Sequence, residues 1–258
     1  MMYYNDAKCD IYIGKGAGSK LMKDIEQAKQ SVKIVSPYIS NGMLSKLIKL
    51  KTEKNIGIEL ITLDDEIYKI FRVDQDALRN LFIQECEVDI QTQKKCATWI
   101  KISKGLFAGV IVSIILATLL LAYNTNLSIF LAILPTTILL LSYIILKAYI
   151  RKKKIFNYKY STLFPLKLNT SNNKYNNTFI HSKIYIIDET IAYLGSLNFT
   201  EYGMRSNCEA RIRTEDDKAV KEIIRLFDEL LNDSPMSDYS ITGWGKRLYK
   251  EPINDFPI

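Results

Sequence analysis

Apolar and polar positions repeat in two ways along most of this chain of 258 residues. An apolar residue at every third or fourth position predicts an amphipathic helix, and a short apolar run predicts a strand. Helices are predicted in SKLMKDIEQAKQ, GMLSKLIKLKTEKN, DQDALRNLFIQECE and DDKAVKEIIRLFDELLND, and strands in SVKIVSPYI, IGIELITL, VDIQT, PLKLNT and CEARIRT. Strands that alternate with helices predict an α/β fold, in which helices flank a mixed or parallel sheet. The stretch from Ser234 onward has no clear period, and we expect a packed tail there.

One segment departs from this pattern because it has no polar face. No charged residue occurs from Gly105 to Leu146. Two apolar blocks, 105–123 and 127–150, each contain about the twenty residues that span a bilayer as a helix. A short polar break at Asn124 to Asn126 separates them. The pattern predicts a transmembrane helical hairpin, and the alternative is an apolar hairpin buried in a soluble core.

The chain is basic, with a net charge of +7, which favours anionic partners such as lipid headgroups or nucleic acid. Basic residues flank both ends of the hairpin: Lys94, Lys95, Lys101 and Lys104 before it, and Lys147, Arg151, Lys152, Lys153 and Lys154 after it. The positive-inside rule then places both termini in the cytosol, in a multi-pass protein of the cell inner membrane. A nucleic-acid-binding patch is the alternative interpretation of the basic run.

With both flanks in one compartment, the parts before and after the hairpin can form one domain. We therefore predict an interrupted domain, with residues 1–104 and 151–258 as its two parts and residues 105–150 as an inserted hairpin.

The cysteines and the single histidine argue against a metal site. Four cysteines are present, no two of them form a CxxC pair, and His181 is distant from all four in sequence. IGKGAGSK does not have the spacing of a phosphate-binding loop and predicts a glycine-rich turn instead. We expect neither a metal nor a cofactor.

The only histidine lies in a stretch with the residues of a phosphate site. If FIHSKIYIID is a strand, His181 and Lys183 share one face and Asp188 lies on the other. A histidine nitrogen and a lysine charge suit attack on a phosphate. Gly195 permits a tight turn, after which Ser196 and Asn198 can direct polar groups at the same anion. Farther on, Glu209 is predicted to orient the ring of His181.

The order His181-x-Lys183, four residues, Asp188, six residues, Gly195-Ser196-x-Asn198 resembles the HKD motif of the phospholipase D superfamily. NFTEYGMRSNCEA and IEQAKQSVKIVSPYIS resemble further segments of that family. The resemblance implies a phospholipase D-like mixed sheet and a two-step phosphodiester reaction through a phosphohistidine, without a metal. It also implies a structural or orienting role for Asp188.

That mechanism needs two histidines, whereas this chain has one. Members with a single motif pair two chains, so the resemblance implies a homodimer in which the two copies of His181 meet at a two-fold axis.

Three functions fit these observations to different degrees. The hairpin favours a membrane-anchored phosphodiesterase or phosphatidyltransferase that acts on phospholipids. The basic charge and short chain favour a metal-independent endonuclease of the same superfamily as the alternative. A non-catalytic scaffold is the third, and the intact set of His181, Lys183, Ser196, Asn198 and Glu209 argues against it.

Overall fold

The computed structural model describes residues 5–123, 129–169, 180–233 and 235–256, without the side chains of 129–132. The predicted polar break at Asn124 to Asn126 lies outside the described residues. The chain divides into two compact units. The first contains Met1–Gln84 and Tyr160–Tyr249, and the second contains Glu85–Lys159 and Lys250–Ile258.

The described elements are, in chain order, β1 (Cys9–Lys15), α1 (Gly18–Glu26), β2 (Ser31–Val35), α2 (Asn41–Lys54), β3 (Gly57–Leu63), α3 (Asp64–Val73), α4 (Gln75–Leu81), β4 (Phe82–Val88), α5 (Ile90–Tyr123), α6 (Ile129–Arg151), β5 (Phe156–Thr162), β6 (Leu166–Asn169), β7 (Ile184–Ile187), β8 (Ile191–Gly195), α7 (Glu201–Arg205), β9 (Cys208–Thr214), α8 (Asp217–Asp233) and α9 (Asp238–Leu248).

Seven strands of the first unit form one mixed sheet in the order β1-β9-β8-β7-β2-β3-β6. Strands β2, β3 and β6 run parallel to one another, whereas β7 is antiparallel to β2 and to β8. The pairing of β2 with β7 brings Val35 opposite Ile184. Segments from both sides of the apolar hairpin therefore meet in the middle of this sheet.

Alternate residues of the central strands enter two separate cores, because successive side chains of a strand point to opposite faces. Ile34 packs in a cluster with Leu21 of α1 and Leu47 of α2. Its neighbour Val35 packs in a second cluster with Phe227 of α8. Helices thus cover both faces of the sheet, and the predicted α/β class is confirmed.

The second unit contains the two long apolar helices α5 and α6, which pack against each other. The hydroxyl groups of Ser113 and Thr136 lie 3.0 Å apart across this contact. Both helices are long and apolar enough to cross a membrane, and only 6% of the most apolar window of each is buried. Side chains so exposed do not fit the alternative of a hairpin buried in a soluble core.

The helix α5 begins at Ile90, much earlier than the predicted apolar span, so the expectation of a strand in VDIQT was wrong. Asp89 caps the start of this helix, because its carboxylate accepts hydrogen bonds from the backbone and hydroxyl of Thr92 at 3.0 and 2.7 Å. The lysines that follow are good helix formers, and the helix therefore continues through the charged flank into the apolar run.

Two further predictions needed correction. The helix predicted in DQDALRNLFIQECE ends at Leu81, and Phe82–Val88 is a strand instead. The tail contains an unpredicted helix, α9, which begins after the capping residue Ser237 and buries Trp244 against Phe82 with the ring centroids 5.6 Å apart. Ile241, Trp244 and Leu248 all pack against the first core, and they recur at helical spacing. The tail therefore has a helical period, and the expectation of a tail without a clear period was wrong there.

Candidate active site

Three chain segments converge at one end of the large sheet because of its strand directions. In the antiparallel register, Ile184 at the start of β7 lies opposite Leu194, and Gly195 at the end of β8 lies opposite Arg211 of β9. The residues just before β7, just after β8 and at the start of β9 are therefore neighbours. This end of the sheet holds five of the predicted site residues: His181, Lys183, Ser196, Asn198 and Glu209.

His181 and Lys183 precede β7 rather than forming part of it, so the strand predicted across FIHSKIYIID is shorter than expected. The Nζ atom of Lys183 lies 3.0 Å from Nδ1 and 3.3 Å from Nε2 of His181, and it donates to the backbone oxygen of His181 at 2.7 Å. The side chains of His181 and Lys183 are thus in contact, as predicted. A shared strand face does not produce this contact, because the backbone oxygen of His181 holds the ammonium group.

The lysine and the histidine differ in exposure. Lys183 is only 6% exposed, whereas His181 is exposed to solvent. Burial lowers the pKa of Lys183, and the negative charge of Glu209 opposes that effect. An anion that approached the imidazole would also compensate the buried ammonium group, which makes this end of the sheet suited to a phosphate.

Glu209 forms hydrogen bonds with two polar neighbours. The hydroxyl of Ser196 donates to Oε2 of Glu209, and Nδ2 of Asn207 donates to Oε1 at 3.1 Å. The Ser196 oxygen also accepts from the backbone N–H of Ala210 at 3.1 Å. In this arrangement Ser196 holds the carboxylate in place. The contact predicted between Glu209 and His181 stays a prediction.

The loop after β8 is fixed by residues that the sequence did not single out. The hydroxyl of Tyr185 donates to the backbone oxygen of Leu197 at 2.7 Å, and Ser36 accepts from the N–H of Phe199 at 2.9 Å. Tyr185 is 1% exposed, so an otherwise apolar strand contributes one buried hydroxyl. A tyrosine within an apolar run could have been identified from the sequence as a buried hydrogen-bond donor. The partner of Ser36, by contrast, is 163 residues away.

Asn198 belongs to this fixed loop and has an unsatisfied polar atom. Its Oδ1 is buried, and among the described residues no hydrogen-bond partner is found for it. A buried amide group without a partner costs free energy, and such a group near a catalytic cluster is often completed by a ligand or water.

Asp188 lies at the other end of β7, in a turn, and not on the opposite face of a longer strand as predicted. Its φ angle of 51° belongs to the left-handed region, which aspartate tolerates better than most residues. Its carboxylate accepts hydrogen bonds from the backbone N–H groups of Lys29, Gln30 and Ser31 at 2.9, 2.7 and 3.0 Å. Five residue steps along the strand separate it from Lys183 by about 16 Å, so Asp188 acts on the start of β2.

The environment of Asp188 favours its charged form. Partial burial raises the pKa of the carboxyl group, but the hydrogen bonds from Lys29, Ser31 and Gln30 outweigh burial and lower the pKa overall. The charged carboxylate therefore stabilises the folded state.

Gly195 is required by close packing and not by a turn with positive φ. A Cβ atom at this position would lie 2.2 Å from the backbone oxygen of Ala210 and 2.9 Å from Cα of Arg211. Only glycine lets β8 approach β9 closely enough for Ser196 to reach Glu209.

The described part of the chain contains no group of three or more His, Cys, Asp or Glu residues that could hold a metal ion.

Comparison with known proteins gives one family match. Residues 109–231 match the family described as cardiolipin synthase, PLD-like domain, and this range contains all six residues of the predicted site. Comparison with curated proteins finds no match.

Three solved structures resemble the fold at low sequence identity. NucT from Helicobacter pylori is 13% identical, with 89% of this chain and 98% of that chain covered and a TM-score of 0.43. A phospholipase D family member, Nuc from Salmonella typhimurium, is 11% identical, with 86% and 93% covered and a TM-score of 0.41. The phosphatidylserine synthase of Haemophilus influenzae is 10% identical, with 90% and 40% covered and a TM-score of 0.41.

Gly195→Ala should destabilise the protein by about 1–3 kcal/mol, because the new methyl group overlaps the backbone of β9. Gly243→Ala is the matched control, since nothing lies within 4 Å of the Cβ position there and alanine favours its helix, α9. Thermal unfolding of the detergent-solubilised chain measures both. Equal melting temperatures for the two variants would contradict the packing role of Gly195.

Asp188→Asn should reduce the free energy of unfolding by about 1–3 kcal/mol at pH 7, because three backbone N–H groups lose a charged acceptor. The folded pKa is lowered, so this contribution is complete above the unfolded pKa and disappears as pH falls through the folded pKa. The difference between wild type and variant should therefore shrink in acid. Asp238→Asn, at an exposed position, is the control, and a difference that did not change with pH would contradict the assignment.

Proposed function

Because this chain belongs to the phospholipase D superfamily, we propose that it is a membrane-anchored phosphodiesterase that acts on phospholipids by hydrolysis or phosphatidyl transfer. One observation carries the choice of lipid: the chain that contains the His181–Lys183 cluster also contains two exposed apolar helices of membrane-spanning length. An active site that is anchored to a bilayer stays close to lipid molecules. The effective concentration of lipid at the site is therefore raised, as it is for any binding partner that is attached through a linker.

In the first step of the proposed reaction, a ring nitrogen of His181 attacks the phosphorus atom of the diester. A P–N bond forms, and the bond from phosphorus to the leaving oxygen breaks. His181 of the partner subunit donates a proton to that oxygen, so the alcohol leaves in neutral form. In the second step, the partner's imidazole removes a proton from water or an acceptor alcohol. That oxygen attacks phosphorus, the P–N bond breaks, and the phosphate product leaves.

The other residues of the cluster stabilise or position the reacting groups. Lys183 lies against the ring of His181 and supplies positive charge to the phosphate oxygens in the transition state. The Nδ2 group of Asn198 would donate a hydrogen bond to the same anion, because it is the donor of that amide. Glu209, held by Ser196 and Asn207, orients and polarises the imidazole. Asp188 is a positioning residue that fixes β7 from its far end.

A homodimer is part of this proposal because the chain has one histidine and the reaction uses two. The two copies of His181 would face each other across a two-fold axis. The exposure of His181 to solvent leaves its ring accessible to a partner chain.

The basic residues on both flanks of the hairpin support a position in the cytoplasmic membrane with both termini in the cytosol. Residues 1–104 and 151–258 would then form one catalytic domain around an inserted hairpin, on the side of the membrane where the dimer reaches inner-leaflet lipids.

The substrate proposal is tested with the purified full-length chain in detergent micelles that contain phospholipid, and in parallel with single-stranded and duplex DNA. We expect release or exchange of the lipid headgroup, in the presence of a chelator and without DNA cleavage. Lys183→Ala should lower the rate about a hundredfold or more, whereas Ser182→Ala, an exposed neighbour, should leave it unchanged. Cleavage of DNA with no turnover of lipid would establish the endonuclease alternative instead.

The shared site is tested with mixed dimers. His181→Asn should abolish turnover because it removes nucleophile and acid together. A purified dimer of one wild-type and one His181→Asn chain should fall far below half of the wild-type rate, since general acid help contributes about a hundred- to ten-thousandfold. Half activity in that heterodimer would mean that each chain works alone.

The topology is tested with an epitope tag at each terminus, expressed in a bacterial host. Protease added to sealed right-side-out spheroplasts should leave both tags intact, and lysis of the same cells should expose both to cleavage. Loss of either tag before lysis would contradict the cytosolic placement of the termini.

A further inference from the structure

A cavity of about 230 Å³ lies between α5 and α6, at the end of the hairpin that carries the basic residues. Its walls combine two kinds of side chain. Lys104 and Lys147 contribute positive charge, and Phe107, Tyr143 and Ile150 contribute apolar surface. The cavity lies within the second unit and shares no residue with the proposed catalytic cluster.

The spacing of the lining residues is that of two facing helix surfaces. Lys104 and Phe107 are three apart on α5, and Tyr143, Lys147 and Ile150 are four and three apart on α6, so each set lies on one face of its helix. The rings of Phe107 and Tyr143 lie 5.4 Å apart across the helices, and Nζ of Lys147 lies 5.4 Å from the Tyr143 ring. The helices therefore hold the Lys147 ammonium group beside the paired rings of Phe107 and Tyr143.

The charge in this cavity is not balanced by acidic residues. The described helices α5 and α6 contain no Asp or Glu, and in the described part of the chain no salt bridge involves Lys104 or Lys147. The cavity thus presents two ammonium groups to an outside anion.

Neighbouring aromatic residues place the cavity at the level of a membrane surface. Trp99 and Tyr149 lie on the polar side of it, with their rings 6.3 Å apart and with 40% and 47% of each residue exposed. Tryptophan and tyrosine favour the headgroup region. On the other side, exposed apolar residues such as Ile111 and Ile144 begin the surface that would face acyl chains. Charge at the headgroup level followed by apolar surface matches the two parts of a lipid.

We propose that this cavity binds an anionic phospholipid, with its phosphate between Lys104 and Lys147 and its acyl chains along α5 and α6. The site would hold a resident lipid and not the substrate, because it shares no residue with the His181 cluster. The inference rests on the membrane insertion included in the proposed function. Basic cavities between membrane helices are a recurrent way of binding such headgroups.

The test uses the purified full-length chain in a neutral detergent and counts bound lipids by native mass spectrometry. The probes are phosphatidylglycerol, which is anionic with acyl chains; phosphatidylcholine, which is zwitterionic with the same chains; and glycerol 3-phosphate, which is anionic without chains. The chain should retain phosphatidylglycerol in clear preference to both other probes.

Two double variants distinguish a specific lipid-binding site from general attraction of anionic lipid to the basic flanks. Lys104→Gln combined with Lys147→Gln should weaken the binding of phosphatidylglycerol about thirtyfold, since each lysine near an anionic headgroup contributes about a fivefold factor. Lys101→Gln combined with Lys152→Gln removes the same charge from the same flanks outside the cavity, and it should change binding little. Equal weakening by both pairs, or equal retention of phosphatidylglycerol and phosphatidylcholine, would overturn the proposal. Equal binding of glycerol 3-phosphate would overturn it too, because the acyl chains would then contribute nothing.

The turnover of a water-soluble phosphodiester by the same preparations separates this inference from the proposed function. Both double variants should keep wild-type turnover. If turnover persists while lipid preference is absent, the lipid site fails and the enzyme assignment stands. If lipid preference is present without turnover in wild type, the enzyme assignment fails and the lipid site stands.

Discussion

The antiparallel pairing of β2 with β7 is the contact on which the rest of the first unit depends. It joins segments from both sides of the apolar hairpin in the middle of the sheet, where side chains of Ile34 and Val35 reach the two cores. Asp188 fixes one end of the pairing through three backbone N–H groups. A long insertion between the paired strands is tolerated because the entropic cost of closing a loop grows only slowly with its length.

The residues at the other end of β7 belong to the proposed catalytic cluster. Since β7 is held on both sides by neighbouring strands and at its far end by Asp188, the residues just before it have a defined position. Lys183 can then remain buried against His181, although burial of an ammonium group is costly without a partner. A phosphate diester would supply the missing negative charge, and the proposed catalysis follows from this arrangement.

The sequence predicted the features that repeat or that form a spaced motif. The short apolar run in SVKIV identified β2, which is buried on both faces, and the helical period of the Val220–Phe227 stretch identified α8, which buries one face. The motif correctly predicted a contact between His181 and Lys183. It did not predict the local backbone structure around them, because the strand starts only at Ile184 and a backbone oxygen holds the ammonium group.

The parts that escaped prediction depend on contacts between distant residues. The hydroxyl of Ser36 holds the loop at Phe199, and Gly195 is needed for the close approach of β9, and neither role has a local signature. The helix α9 is different, because Ile241, Trp244 and Leu248 follow a helical period that was overlooked among the polar residues of the tail. The strand β4 was lost for a different reason, because its first residues continue the helical pattern of α4 without a break.

In the proposed reaction, His181 becomes covalently bonded to phosphorus during turnover. The most direct measurement is a rapid alkaline quench of the wild-type enzyme with its lipid substrate, followed by mass spectrometry of the peptides. We expect a phosphorus adduct on the peptide that contains His181, on at most one chain of each dimer. An adduct on a different residue, or steady turnover by a His181→Asn dimer, would contradict it.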